Sequence, residues 1–221
     1  MIPPSSLAFS LLILATASPL LADSLLGELN PTQQSTIKSG SQILITEDIN
    51  GNAWPRVTIY QKVDASPEEV AAVFFDYDDG KSYLPNLLKS EISKRITPCT
   101  MEIDYGVDVP ILPDEFYTVR NTIRFLSPDH YRFDWKLVRA VQTKDSVGSF
   151  CIEPLDGKTL IRYQNLVTPG SSMAGLLRKV AISQMKGAAT AIACQAEKLK
   201  AANPTHLEKQ VEALRAAFKA E

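Results

Sequence analysis

Residues 100–138 read TMEIDYGVDVPILPDEFYTVRNTIRFLSPDHYRFDWKLV, and the fold turns on them. In the first part, Met101, Ile103, Tyr105 and Val107 alternate with Thr100, Glu102, Asp104 and Asp108. In EFYTVRNTIRFL, Tyr117, Val119, Asn121, Ile123 and Phe125 alternate with Thr118, Arg120, Thr122 and Arg124. In HYRFDWKLV, Tyr131, Phe133, Trp135 and Leu137 alternate with Arg132, Asp134 and Lys136. Side chains of a strand point to opposite faces in turn. Three such runs therefore predict an antiparallel sheet with one dry face and one wet face. Ser127-Pro128-Asp129 supplies the turn between the last two.

Working outward, strand follows strand from Leu88 to Thr168. LKSEISKRIT precedes a turn at Pro98, while VGSFCIEPL and KTLIRYQNLV are joined by the hairpin pair Asp156-Gly157. Upstream, SQILITED and AWPRVTIYQKV flank Asn50-Gly51, a further hairpin signal. Between that hairpin and the later strands, Ser66, Pro67 and Glu69 form a capping box for a helix carrying Val70, Val73 and Phe74. The pattern breaks at Asp76–Gly80, and a short turn, KSYLPNL, stops at Pro85. Downstream, Ser171 to Ala202 reads as one long helix with an apolar stripe of Met173, Leu177, Val180, Ala181, Ala188, Ile192 and Leu199. Its middle, KGAATAIAC, is rich in small residues that permit close packing or leave volume free. Asn203-Pro204 ends it. A short helix then starts at Thr205 with Glu208 as capping partner, bearing Leu207, Val211, Leu214 and Phe218. Near the other end, Asn30-Pro31 opens a helix that Ser39-Gly40 closes. The expected fold is α+β: a curved antiparallel sheet wrapped around a long C-terminal helix, enclosing a hydrophobic cavity.

The 221 residues are 45% hydrophobic and 22% charged, an ordinary globular composition. A net charge of −2 gives no broad nucleic-acid footprint. The 3 Cys, at positions 99, 151 and 194, form no CxxC pair, so no zinc site or thioredoxin motif is expected. Cys151 and Cys194 read as small core residues. Asp76, Asp78 and Asp79 lack the rest of a calcium loop. No serine stands in a G-x-S-x-G elbow, and His130 and His206 read as surface residues. No catalytic set, metal or cofactor is expected.

Residues 1–22 carry no charged side chain. Leu7 to Ala17, LAFSLLILATA, is too short for the ~20 apolar residues of a membrane span. Small residues at Ala15, Ala17, Ser18 and Ala22 fit a signal peptide cleaved after Ala17 or Ala22, although MIPPSS lacks Lys and Arg. A secreted or periplasmic protein is expected; a buried N-terminal helix or uncleaved anchor is the alternative. The expected division is a signal peptide over 1–22, a helical lead-in over 23–39, the main domain over 40–202 and an appended helix over 203–221.

VDASPEEVAAVFFDYDDGKSYLPNLLKSEI, 63–92, and GSFCIEPLDGKTLIRYQNLVTPG, 148–170, resemble the START-like superfamily, also called SRPBCC or helix-grip. That superfamily includes steroidogenic-acute-regulatory lipid-transfer domains, coenzyme-Q-binding proteins and polyketide cyclase/dehydrase-like proteins. The resemblance spans about residues 40–202 and implies a hydrophobic or lipid cavity opened by loops near the start of the long helix. The helix after 203 falls outside it.

Strand parity then names the residues facing such a cavity: Tyr105, Tyr117, Val119, Asn121, Ile123, Tyr131, Phe133, Trp135, Tyr163 and Asn165. Aromatics with a few amides and hydroxyls suit an apolar ligand with one polar end; the same residues equally well fill a core. A one-residue bulge would instead turn Arg120 and Arg124 inward and favour an anionic head group. In the loop 107–115, Ile111 and Leu112 stand between prolines, where they either touch a membrane, gate the cavity or pack on a neighbouring loop. Met173 joins them as a gate candidate. Residues 140–146 read as a lid and 168–174 as a hinge. The expected function is non-enzymatic binding and transport of a lipid, sterol-like, quinone or polyketide molecule by a monomer, with transient membrane contact. The alternative is a cyclase or dehydratase using Tyr105 or Tyr163 as acid or base. A third option is protein binding through the tail helix stripe.

Overall fold

A computed structural model describes residues 24–109, 113–171 and 173–221. The expected signal peptide and the gate candidates Ile111 and Leu112 lie outside the described residues.

Among the described residues, eight strands form one antiparallel sheet: β1 (Ile43–Glu47), β2 (Arg56–Val63), β3 (Leu87–Thr97), β4 (Thr100–Val107), β5 (Glu115–Ser127), β6 (His130–Ala140), β7 (Thr143–Leu155) and β8 (Lys158–Pro169). Their order is β1-β2-β8-β7-β6-β5-β4-β3, so the first hairpin closes onto the last strand. The β7–β8 turn is the tight one expected, with Asp156 and Gly157 both at positive φ. The β1–β2 connection spans residues 48–55, longer than a two-residue turn, with Gly51 at positive φ.

The helices are α1 (Pro31–Lys38), α2 (Pro67–Phe75), α3 (Gly80–Tyr83), α4 (Arg178–Ala202) and α5 (Pro204–Ala220). Asn30 caps α1 and Ser66 caps α2, each through a complete capping box. The gripping helix starts later than expected, because a 3₁₀ turn over Ala174–Leu177 precedes it. The cap of α5 also differs from expectation. Asn203, not Thr205, accepts from the His206 amide, and Pro204 takes the first helical position, where its missing N–H costs nothing.

The inner face is divided lengthwise. At one end, α2, α5 and the C-terminal half of α4 cover Met101, Ile123, Tyr131, Phe133, Phe150 and Ile152 in a continuous core. Leu207, Val211 and Leu214 of α5 are buried there, and Phe218 stacks near Phe125 and Tyr131. The tail stripe is therefore consumed by packing, and the protein-binding option built on it loses its surface.

The outer face is wet over β4–β6. Arg120 pairs with Glu102 at 2.8 Å, and Thr118 and Arg139 both donate to Asp104. The sheet has a register shift between Thr118 and Val119, but it spares the parity of β5, so Arg120 and Arg124 stay exposed. Over β2, β7 and β8 the outer face is not wet. The lead-in lays Leu25, Leu29 and Ile37 against Tyr60, Cys151 and Leu160. Buried Glu153 holds it by accepting from the Leu25 amide at 2.9 Å and the Ser24 hydroxyl at 2.8 Å. Cys151 is buried as expected, but Cys194 is exposed, because it falls on the solvent side of α4.

Candidate ligand cavity

At the other end of the inner face, α4 packs on β2 through Met185 and Ala189 but stands away from β4–β7. A cavity of about 260 Å³ separates them. Its floor is β4–β8, and its roof is α4 with the α3–β3 connection at Leu84, Pro85 and Leu87. Two sequence features keep it open. The α4 residues facing it include Ala181 and Ala188, too short to cross the gap. Pro85 lies near Gly187 of α4 and props the connection at a fixed height.

Seven of the ten residues expected from parity line this cavity: Tyr105, Tyr117, Val119, Asn121, Trp135, Tyr163 and Asn165. Ile123, Tyr131 and Phe133 do not. They have the same parity but lie further along β5 and β6, where α2 and α5 cover the sheet. Alternation selects the face of a strand and says nothing about position along it. Met173 stands half-exposed just before the 3₁₀ turn, beside the lining residues Ser171 and Ala174 but not among them.

Trp135 defines the floor. Its cross-strand partner on β7 is Gly148, and a Cβ there would run into the indole ring. The missing side chain lets the indole lie flat over the strand and stack on Tyr163, with ring centroids 5.4 Å apart. The indole N–H donates to Asn165 Oδ1 at 3.4 Å.

Tyr105, Tyr117 and Tyr163 keep partial solvent contact although protein surrounds them, as expected of side chains facing an internal space. Burial pushes the Tyr105 and Tyr117 phenols well above their ordinary value, reinforced by neighbouring tyrosines. Burial pushes Tyr163 up to about 12, against the opposing pull of its bond to Asn165. Asn121 is 3% exposed, and its side-chain oxygen has no hydrogen-bond partner. An orphaned buried acceptor costs about 1–3 kcal/mol.

Several lining residues escaped the sequence reading. Trp54, in the β1–β2 loop, donates from its indole N–H to the Ala174 carbonyl at 2.7 Å and ties that loop to the start of the gripping helix. Glu115 begins β5 on the inner face and is buried. Its carboxylate accepts the Gln142 and Thr143 amides at 3.0–3.1 Å. Those bonds correct the expected lid. Residues 140–146 are a tight β6–β7 turn running straight into β7, pinned by a carboxylate. Gly170, in the expected hinge, abuts the Gln142 carbonyl so closely that no Cβ would fit. The signals for Glu115 were its parity and its place among inward residues, but an acidic residue there reads as solvated until the turn folds over it. The Asp cluster is structural: Asp76 accepts from Gln210, and Asp78 accepts from the Ile92 amide.

The cavity and its fold set the frame for comparison with known proteins. Residues 55–202 match the family described as polyketide cyclase / dehydrase and lipid transport, and the chain belongs to that family. No curated protein matches the chain. Among solved structures, a STAR-related lipid transfer protein from Xanthomonas axonopodis (fragment 25-204) is similar at 14% identity and TM-score 0.63, over 71% of this chain and 93% of that one. Human STARD10 is similar at 15% identity and TM-score 0.65, over 79% and 77%. The Zhui aromatase/cyclase from a Streptomyces species is similar at 17% identity and TM-score 0.57, over 65% and 94%. These likenesses show that the chain has the helix-grip fold.

Proposed function

We propose that this protein binds a hydrophobic small molecule between its sheet and α4 and carries it without transforming it. The observation that supports this most is the cavity itself: an aromatic and aliphatic chamber preserved by Ala181, Ala188 and Gly148 where bulkier residues would close it. Burying apolar ligand surface there yields ~25 cal/mol per Å² before the costs of association. At about 260 Å³ the chamber is near the small end of ligand pockets, roughly 300–1,000 Å³, which suits a compact ligand.

The cyclase relatives make catalysis the competing reading. It needs a group able to exchange protons near neutral pH. The cavity phenols are moved away from neutrality, and the Glu115 carboxylate is engaged by two backbone amides. Both facts argue for carriage. The uncharged N-terminal apolar run supports export of the protein to the periplasm, and the exposed Met173 and Leu176 beside the chamber support transient contact with a membrane surface. Native mass spectrometry of the protein purified from its producing cells, with organic extraction of the same sample, tests the proposal. A stoichiometric apolar adduct is expected. An empty protein that takes up no lipid, sterol or quinone would sink the carrier reading.

A further inference from the structure

The carrier reading leaves the chemistry of the cargo open, and the polar groups of the chamber narrow it. Along the inner face of β5, Glu115, Tyr117, Val119 and Asn121 line the chamber, while the next inward residue, Ile123, belongs to the closed core. Asn121 therefore stands at the inner end and Glu115 at the opposite one. The two asparagines of the chamber differ. The Asn165 oxygen receives the Trp135 indole N–H, whereas the Asn121 oxygen is buried and receives nothing. A buried carbonyl without a donor is a rare feature, and here the side chain that carries it lines a space large enough for a ligand. Among the described lining residues there is no Lys, Arg or His. The single carboxylate is already satisfied by the Gln142 and Thr143 amides. An anionic head group would find no counter-charge inside, and an ionised group buried without one is strongly disfavoured.

Resting on the carrier reading, we infer that the cargo is an electrically neutral, mostly apolar molecule that enters with a hydroxyl first and donates that hydroxyl to Asn121 Oδ1. An alcohol or a phenol meets this description. A fatty-acid carboxylate or a phosphate buried at the inner end does not.

Both tryptophans of the chain, Trp54 and Trp135, line the chamber, so intrinsic fluorescence reports its occupancy. The test titrates the full chain with 1-decanol, decyl methyl ether and decanoate. The alcohol should bind about tenfold tighter than the ether, the worth of one hydrogen bond. Decanoate should bind more weakly than the alcohol. In Asn121→Leu the alcohol should fall to the level of the ether, whose unchanged binding shows that the chamber is intact. The comparison of alcohol and ether in the wild-type protein needs no variant, so it holds even where Asn121→Leu fails to fold. Equal binding of alcohol and ether means that water satisfies Asn121; the inference then falls and the carrier reading stands. Decanoate bound as tightly as decanol overturns neutrality. An alcohol preference that persists in Asn121→Leu assigns the hydroxyl to another group and overturns the role of Asn121. If none of the three binds, the carrier reading and the inference fall together.

Discussion

The inner face of β5 and β6 has two halves built from the same alternation with opposite outcomes. In the closed half, Ile123, Tyr131 and Phe133 meet α2 and α5 and become core. In the open half, Tyr117, Asn121 and Trp135 face the stretch of α4 that carries Ala181 and Ala188 and line a chamber. Phe74 of α2 stands at the border, packed edge-on against Phe133 at 4.8 Å and contributing to the cavity wall. The contrast teaches that a cavity is made by what is withheld. The strands supply similar side chains throughout, and the covering helices decide whether these are filled against or left facing a space.

The largest effect that sharpens this contrast is alkaline. The folded chain holds the protons of Tyr105, Tyr117 and Tyr163 more tightly than the unfolded chain, whose phenols titrate near 10.0. Stability is therefore full below that pH and falls as pH rises toward and through the raised folded values, by up to about 1.4 kcal/mol per group per unit. Urea unfolding between pH 9 and pH 12 should show the decline, and replacing the three by Phe should make it shallower, the rest of the slope coming from the raised phenols of Tyr60, Tyr77, Tyr83 and Tyr131. An unchanged slope would mean that the open half is already wet.

Next comes a matched pair. Phe133→Ala, in the closed half, should cost about 3–5 kcal/mol. Tyr117→Ala, beside existing space, should cost roughly 1–2 kcal/mol, because fewer contacts are lost. Equal losses in denaturant titrations would erase the distinction between the halves. Glu115→Ala should cost about 1–3 kcal/mol by orphaning two amides. Hydrogen exchange at Gln142 and Thr143 should speed up while the amides of β6 and β7 far from the turn stay protected. The smallest stability change belongs to Ala188→Phe, which fills the chamber from above. Stability should move by less than about 1.5 kcal/mol in either direction, yet uptake of hydrophobic probes should be lost. Retained uptake would place the ligand elsewhere.

Much of the fold was legible in the chain. Alternation gave β4, β5 and β6, turn signals bounded the other five strands, Asp156-Gly157 gave the tight turn and Ser66-Pro67-Glu69 gave the start of α2, because each is a local preference written in adjacent residues. The cavity wall was legible only as a face. Parity brought Tyr105, Asn121, Trp135 and Asn165 to it, but it equally nominated Ile123, Tyr131 and Phe133. Trp54 and Glu115 were not legible. One sits in a loop and reaches the chamber through a bond to Ala174, and the other is acidic and buried only because the β6–β7 turn donates to it. Cys194 was misread because α4 has small residues on most of its circumference, which blurs the boundary of its buried stripe.

The sequence by itself determined which residues lie on strands and helices and which face of each strand is apolar, since side-chain alternation and capping depend on near neighbours. The tertiary structure alone decided where along the sheet the apolar face is covered and where it is left open. That outcome depends on the height at which α4 passes over the strands, which is set jointly by alanines of one helix, a proline after another and a glycine beneath a tryptophan, residues distant in the chain that act on one another only once folded.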